Sequence, residues 1–200
     1  MKVLISVNSY YPDLDGVSYV TKYIAEGLVK KNWDVTVITS NDKKPKFELH
    51  NKVKIYRINT YTFKTFHFGD KQKYLHFIKS FSKDKFIFIN VGIQNSFTDW
   101  TLKYIKVKNF FSILYLHGIY SSFFNKNDFI NLNNFFSKIF RNIRWYLYIR
   151  FIKKYFQKYN LIIHLHKKDQ SIDFFKRLGF KKKLVLENAI EKKFFNLKKI

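Results

Sequence analysis

The chain of 200 residues has no cysteine, two prolines, six glycines, one methionine and only 14 acidic side chains. Without cysteine there is no disulfide framework, no thiolate zinc centre and no cysteine nucleophile. So little glycine and proline excludes collagen-like repeats and proline-rich disorder. The scarcity of acids is set against 38 Lys and Arg, a formal net charge of +24. That excludes a near-neutral surface and implies an anionic partner: phosphate, lipid headgroup or nucleic acid. Long hydrophobic runs are missing too. The longest uncharged stretch, Asn109 to Asn125, holds His117, Gly118 and two adjacent serines among its polar residues, and falls short of the roughly 20 apolar residues of a spanning helix. The apolar start Met1–Val7 meets Asn8, Ser9 and Pro12-Asp13 too soon for a secretory signal. The sequence thus reads as cytoplasmic, with contact at the inner face of the cell membrane left open.

What is present is apolar and aromatic. Hydrophobic residues are 46% of the chain and aromatics 20%, with 24 Phe and 14 Tyr, enough for the core of one domain. Short β-branched runs alternate with helical spacings. Strands are expected at Lys2–Val7, Trp33–Ser40, Lys52–Asn59 (an edge strand), Lys85–Val91, Phe110–Leu116, Leu161–Leu165 and Lys183–Leu186. Between them, Val20, Ile24, Ala25 and Leu28 share a helical face, Thr98–Lys106 suggests a short helix, and Lys168–Leu178 a helix that Gly179 stops. This alternation implies an α/β fold: a single Rossmann-like open parallel sheet with helices on both faces. Ligands of such sheets bind at the carboxyl ends of the strands. The loops that matter are therefore Ser9–Gly16, Gly92–Phe97 and Gly118–Asn133.

Three sets of residues on those ends invite chemistry. Gly16 opens the first helix, where free N–H groups suit a phosphate. Asp13 and Asp15 repel an anion there, although an acid at a helix start also favours the dipole. His117, followed by Gly118, ends an uncharged strand and suits an acceptor hydroxyl, a phosphate or a developing charge. Alternatively it caps the strand through a backbone bond. His164 and His166, two apart on a strand, point the same way, but no third ligand is near, so no metal is expected. Glu187 and Glu191 read as solvated surface. No Walker loop, G-x-G-x-x-G or Ser-His-Asp order is present.

The stretch Asn134–Asn160 carries Lys138, Arg141, Arg144, Arg150, Lys153, Lys154 and Lys158 and no acid. At 100° per residue, Phe136, Ile139, Phe140, Ile143 and Leu147 share one face. Ile149, Ile152, Tyr155 and Phe156 share a face roughly opposite. One straight helix cannot bury both stripes against one core. Either it breaks near Trp145–Tyr148 or the stripes meet different partners. The later stripe is expected on the sheet. The earlier segment, with Lys138, Arg141, Arg144 and Trp145, is expected to face anionic lipid; the plain alternative is a core helix with solvated cations.

Several motifs in order resemble family 4 retaining glycosyltransferases of the GT-B fold. They are the opening Met-Lys-Val-Leu-Ile, Tyr11-Pro12, Asp15-Gly16, Ala25-Glu26-Gly27-Leu28 and Asp34-Val35-Thr36-Val37-Ile38-Thr39. Further along come Leu114-Tyr115-Leu116-His117-Gly118, Leu161-Ile162-Ile163 through Leu178-Gly179, and Leu186-Glu187-Asn188-Ala189-Ile190 with Phe194. The resemblance implies the N-terminal half of a GT-B fold. Residues 1–187 would form the acceptor-side Rossmann-like domain and 188–200 the start of an interdomain linker, with the second, donor-binding domain absent; Asn188 would stand at the family's hinge, or, as its residue type favours, simply make a turn. It implies transfer of a sugar from a nucleotide-sugar, a substrate rather than a cofactor, to a glycan or lipid-linked acceptor in cell-surface glycan synthesis. The isolated chain would need a second domain, supplied by another chain, to be active. His117 would be catalytic; Asp15, Gly16 and Gly118 would bind substrate or phosphate. The competing reading is a nonenzymatic basic module that binds anionic membrane or nucleic acid. No RNA- or DNA-binding signature accompanies the charge, and nucleic acid is the less favoured partner.

Overall fold

The computed structural model describes residues 1–13, 15–41, 43–63, 66–81, 85–105, 110–119, 124, 126–180 and 182–187. In chain order these form β1 (Lys2–Ser6), α1 (Gly16–Lys30), β2 (Asp34–Ser40), β3 (Phe47–His50), β4 (Val53–Ile58), β5 (Thr60–Phe63), β6 (Phe66–Gly69) and α2 (Lys71–Phe81). There follow β7 (Phe86–Val91), α3 (Ser96–Thr101), β8 (Phe110–Tyr115), a 3-10 turn (Lys126–Phe129), α4 (Leu132–Phe156), β9 (Leu161–His164), α5 (Gln170–Arg177) and β10 (Lys183–Val185). The expected linker segment 188–200, with Asn188, lies outside the described residues.

One eight-stranded sheet runs β10-β9-β8-β7-β1-β2-β4-β3. Every pairing in it is parallel except β3 with β4. The chain starts in the middle at β1, builds outward through β2 and β4, then returns to β7 on the other side of β1. Parallel strands must be joined by crossovers, so helices cover the faces and the strands become apolar on both sides. In β1, Val3 and Ile5 enter one core with Ala25 of α1, while Leu4 enters the opposite core with Tyr74 and Ile78 of α2. A third cluster joins Leu114 and Ile162 to Ile152 and Phe156 of α4 and Phe175 of α5. The fold is therefore α/β, with an open, mostly parallel sheet between helices, as the alternation of the sequence implies.

Three elements differ from expectation. The edge is β3, not β4. Phe47-Glu48-Leu49-His50 pairs antiparallel outside β4, and Arg57, a charged side chain of β4, is only 2% exposed. The antiparallel hairpin β5–β6 and helix α2 carry no sequence expectation at all, yet Tyr74, Leu75 and Ile78 of α2 are core.

The third difference concerns α4, which is one unbroken helix of 25 residues. It reconciles its two stripes by burying only one. Ile152 and Phe156 pack on the sheet, whereas Phe140 is 70% exposed and Ile143 is 51% exposed. Trp145 and Lys138, expected to face lipid, instead turn inward at 8% exposed each; Trp145 stacks on Tyr148 and lies against Phe174 of α5. The reason is angular: residues 138, 145, 152 and 156 fall on one side of the helix, opposite the Phe stripe. Arg141 is exposed and Arg144 half-buried. Gly179 does stop α5: its φ is 80°, and Gly179 N–H to Lys176 O with Phe180 N–H to Phe175 O close the C-terminal turn.

Candidate functional site

The order in which the chain adds strands reverses between the parallel neighbours β1 and β7, and the loops leaving these two strands at their carboxyl ends frame the natural cleft of such a fold. The β1 loop is braced by polar bonds. The Arg57 guanidinium donates to Tyr11 O (2.8 Å) and Pro45 O (3.0 Å) and pairs with Glu48 at 2.8 Å. Tyr11 stacks on His50 at 3.6 Å between ring centroids. Lys44 pairs with Asp13, and Ser18 Oγ donates to Asp13 O at 2.7 Å. A buried arginine thus joins the loop to the edge strand, holding side chains that precede α1.

Asp15 is the N-cap of α1. Its Oδ1 accepts from Val17 N–H (2.9 Å) and Ser18 N–H (3.0 Å), and Ser9 Oγ donates to its Oδ2. Burial pushes the carboxyl upward, but the bonds from Ser9, Ser18 and Val17 outweigh it and hold the group below the usual carboxylate range. The Val17 and Ser18 amides, two of those an anion at this helix start would use, are taken by the protein's own carboxylate. Gly16 is not needed to spare a close approach, since a Cβ there meets nothing within 4 Å.

His117 follows β8, two strands from β1 along the same edge. Leu116 N–H bonds Ile163 O at 2.9 Å, which places the next residue just past the end of β8. Its ring meets Tyr115 edge-on at 4.9 Å. Burial lowers its pKa from 6.5, and the Asp15 carboxylate opposes that shift. Burial thus favours the neutral ring, and the nearby cap of α1 works the other way. Its Nε2 is buried and has no hydrogen-bond partner among the described residues. Gly118 turns the chain with φ 87°, a backbone state that disfavours any Cβ. The fold thus brings Asp15, Gly16, His117 and Gly118 to one rim. Tyr115 also lines an adjoining apolar hollow of about 290 Å³ with Tyr19, Tyr23, Ile24 and Leu186.

The β7 loop adds groups that sequence reading missed. Asn95 caps α3 through Thr98 N–H (3.0 Å), and Gly92 N–H bonds Tyr115 O at 2.7 Å. Gln94 N–H donates to Tyr148 Oη at 3.0 Å, and Tyr148 Oη donates to Asp99 Oδ1 at 2.7 Å. Burial, then Asp99, pushes the Tyr148 hydroxyl well above its ordinary pKa. Asp99 Oδ2 is 2.9 Å from His67 Nε2, and His67 Nδ1 is 2.8 Å from Thr62 Oγ1. This chain of four side chains ties the β5–β6 hairpin to α3 and α4. Thr62 and His67 are neighbours across the hairpin, but His67 and Asp99, and Asp99 and Tyr148, are separated by tens of residues, so no local pattern in the sequence marks the links between them.

His164 and His166 do not make a pair. β9 ends at His164, so strand alternation does not extend to His166, which is exposed. His164 Nδ1 bonds Ser171 Oγ at 2.6 Å inside the protein. Among the described residues no group of three His, Cys, Asp or Glu is placed to hold a metal ion. No described helix is long and apolar enough to cross a membrane.

No family model matches the chain and no curated protein matches it in sequence. Solved structures do match. Sucrose-phosphate synthase from Thermosynechococcus elongatus aligns with a TM-score of 0.60 at 9% identity, over 93% of this chain and 47% of that one. The E. coli trehalose-6-phosphate structure bound with UDP-2-fluoro glucose aligns with a TM-score of 0.52 at 10% identity, over 97% and 50%. These are GT-B glycosyltransferases, and the likeness shows that the chain has the Rossmann-like fold from which they are built. The chain spans about half the length of the structures it matches.

Proposed function

We propose that this domain is the acceptor-side lobe of a glycosyltransferase of the family 4 type, which takes a sugar from a nucleotide-sugar and passes it to a glycan or lipid-linked acceptor. The observation that carries the reading is the buried Nε2 of His117, without a partner among the described residues, on the same strand-end rim as Asp15. The fold supports it, and one structural neighbour holds a nucleotide-sugar analogue. The nucleotide-sugar is a substrate, and no cofactor enters.

The rim's chemistry favours hydroxyls over a bare phosphate. An ionised Asp15 accepts a hydrogen bond from a hydroxyl and disfavours an anion beside it. A neutral imidazole with a free Nε2 either accepts the proton of an acceptor hydroxyl or donates to a sugar oxygen. Asp15, close enough to act on the ring, favours the imidazolium that proton transfer would form. Gly118 lets the chain leave the rim sharply, which keeps the imidazole at the cleft edge. Asp15, Gly16 and Gly118 thus shape an acceptor site around His117, with the carboxylate in the place first read as a phosphate cradle.

The test is transfer of radiolabelled sugar from UDP-, GDP- and dTDP-sugars to lipid and glycan fractions, with His117→Ala alongside. Transfer that falls about 100-fold or more in the variant, the range of one general acid or base, supports the reading. Absence of transfer from every donor, together with a His117 ring resonance that no donor or glycoside shifts, refutes it.

A further inference from the structure

We propose that the outward face of α4 is a docking surface for an anionic lipid bilayer, so that the domain sits on a membrane with the rim of His117 close by. The inference stands apart from the sugar-transfer reading, because it rests on the helix alone. A helix in a two-layer fold hides one stripe and shows a polar one. α4 breaks that rule. Opposite its buried residues Trp145, Ile152 and Phe156 runs a second apolar stripe: Leu132, Phe136, Phe140, Ile143, Leu147 and Phe151. Phe140 and Phe151 are 70% and 71% exposed. Steps of three and four along this stripe keep it on one line for almost the whole helix.

The stripe continues past the helix start. Phe129 is 64% exposed and Ile130 is 80% exposed, and Phe129, Phe124 and Phe135 form a ring cluster with centroids less than 6 Å apart. A soluble surface rarely shows so long a contiguous apolar patch without an occupant.

Charge selects that occupant. From Phe129 to Lys168 there is no Asp or Glu. Arg141, Arg150, Lys153 and Lys154 are exposed along α4, and the whole chain carries +24. A second copy would bring the same cations against this face, so self-association works against the field. A bilayer with anionic headgroups satisfies both parts: acyl chains take the Phe stripe and headgroups take the cations. The inward turn of Trp145 and Lys138 removes them from this surface, and the more C-terminal Phe151, Arg150, Lys153 and Lys154 replace them.

Position gives the surface a use. Tyr148, on the inward side of the same helix, bonds Gln94 N–H in the β7 loop and Asp99 in α3. The bilayer face and the carboxyl-edge loops are therefore separated by about one helix diameter, roughly 10 Å. An acceptor headgroup at the bilayer surface lies within reach of that edge.

Flotation with phosphatidylcholine vesicles, with and without about 30% phosphatidylglycerol, tests the proposal. The chain is expected to float with the anionic vesicles at least about tenfold more tightly than with neutral ones. Phe140→Ser with Leu147→Ser, and separately Arg150→Glu with Lys153→Glu, should each weaken that binding by about tenfold or more. Lys30→Glu with Lys52→Glu makes the same change in net charge away from α4 and should bind nearly as the parent does. All these side chains except Leu147, 49% exposed, belong to plainly solvent-facing positions, and circular dichroism melts check that each variant folds. Equal binding to neutral vesicles, parent-like binding by both α4 variants, or equal loss in the Lys30 and Lys52 control overturns the proposal. So does a dimer dissolved by Phe140→Ser with Leu147→Ser, or tight binding to a single-stranded oligonucleotide, if vesicles are not bound.

Discussion

Replacing Asp15 separates two jobs that the structure gives to one carboxylate. As the N-cap of α1 it accepts two backbone N–H bonds at 2.9 and 3.0 Å; as a charge it acts on His117. Asp15→Ala removes both. Loss of such a cap costs about 1–2 kcal/mol, and a chain of this size shifts its Tm by about 2–4 °C per kcal/mol, so the melt should fall by about 2–8 °C. Asp15→Asn keeps a cap of nearly equal quality and removes only the charge. The lost interaction with the helix dipole is about 0.3–1 kcal/mol, a drop of about 1–4 °C. Both variants withdraw the carboxylate that raises the His117 pKa, so the imidazole should titrate at lower pH in each. Thermal melts by circular dichroism and the pH titration of the His117 ring protons by NMR read the two effects separately. An Asp15→Ala protein that melts with the parent would show that the cap carries nothing. A His117 pKa that stays put or rises in Asp15→Asn would show that the carboxylate does not face the ring.

Gly118→Ala places a Cβ at φ 87° and should cost about 1–2 kcal/mol in urea unfolding, with the His117 ring resonances displaced. A variant as stable as the parent would contradict the turn. Burial lowers the pKa of both His117 and His164. The unfolded chain therefore binds their protons first on acidification. Their stabilisation is complete above pH 6.5 and is lost as pH falls through that value toward the folded pKa, with a slope of at most about 1.4 kcal/mol per pH unit for each. Urea melts across this range should show the decline, and His117→Gln should flatten it. The two sides of α4 should respond differently: Trp145→Ala should lose about 3–5 kcal/mol, whereas Phe140→Ser should stay within about 0.5 kcal/mol. Tyr148→Phe deletes the donor to Asp99 and the acceptor for Gln94 N–H, and chemical denaturation should show a loss of about 1.5–3 kcal/mol.

The succession of elements was legible in the sequence because buried parallel strands and their crossover helices write themselves locally. Val3, Leu4 and Ile5 are apolar on both sides because both faces of β1 are covered. Val20, Ile24 and Leu28 recur at helical spacing because one side of α1 meets the sheet, and Gly179 ends α5 because its backbone state excludes most other residues. The place of His117 was readable for the same reason: the residue just past an apolar strand falls on the edge where such a fold carries its loops. Tertiary structure alone decided the rest. Phe47–His50 becomes a strand only because β4 offers it an edge, and Arg57 is interior only because Tyr11, Pro45 and Glu48 gather round it. The choice of which α4 stripe to bury depended on the sheet and α5, since a helix apolar on two sides has no preference of its own. The links from Thr62 through His67 and Asp99 to Tyr148 join residues that only folding brings together, because a hydrogen bond depends on separation in space and leaves no period along the chain.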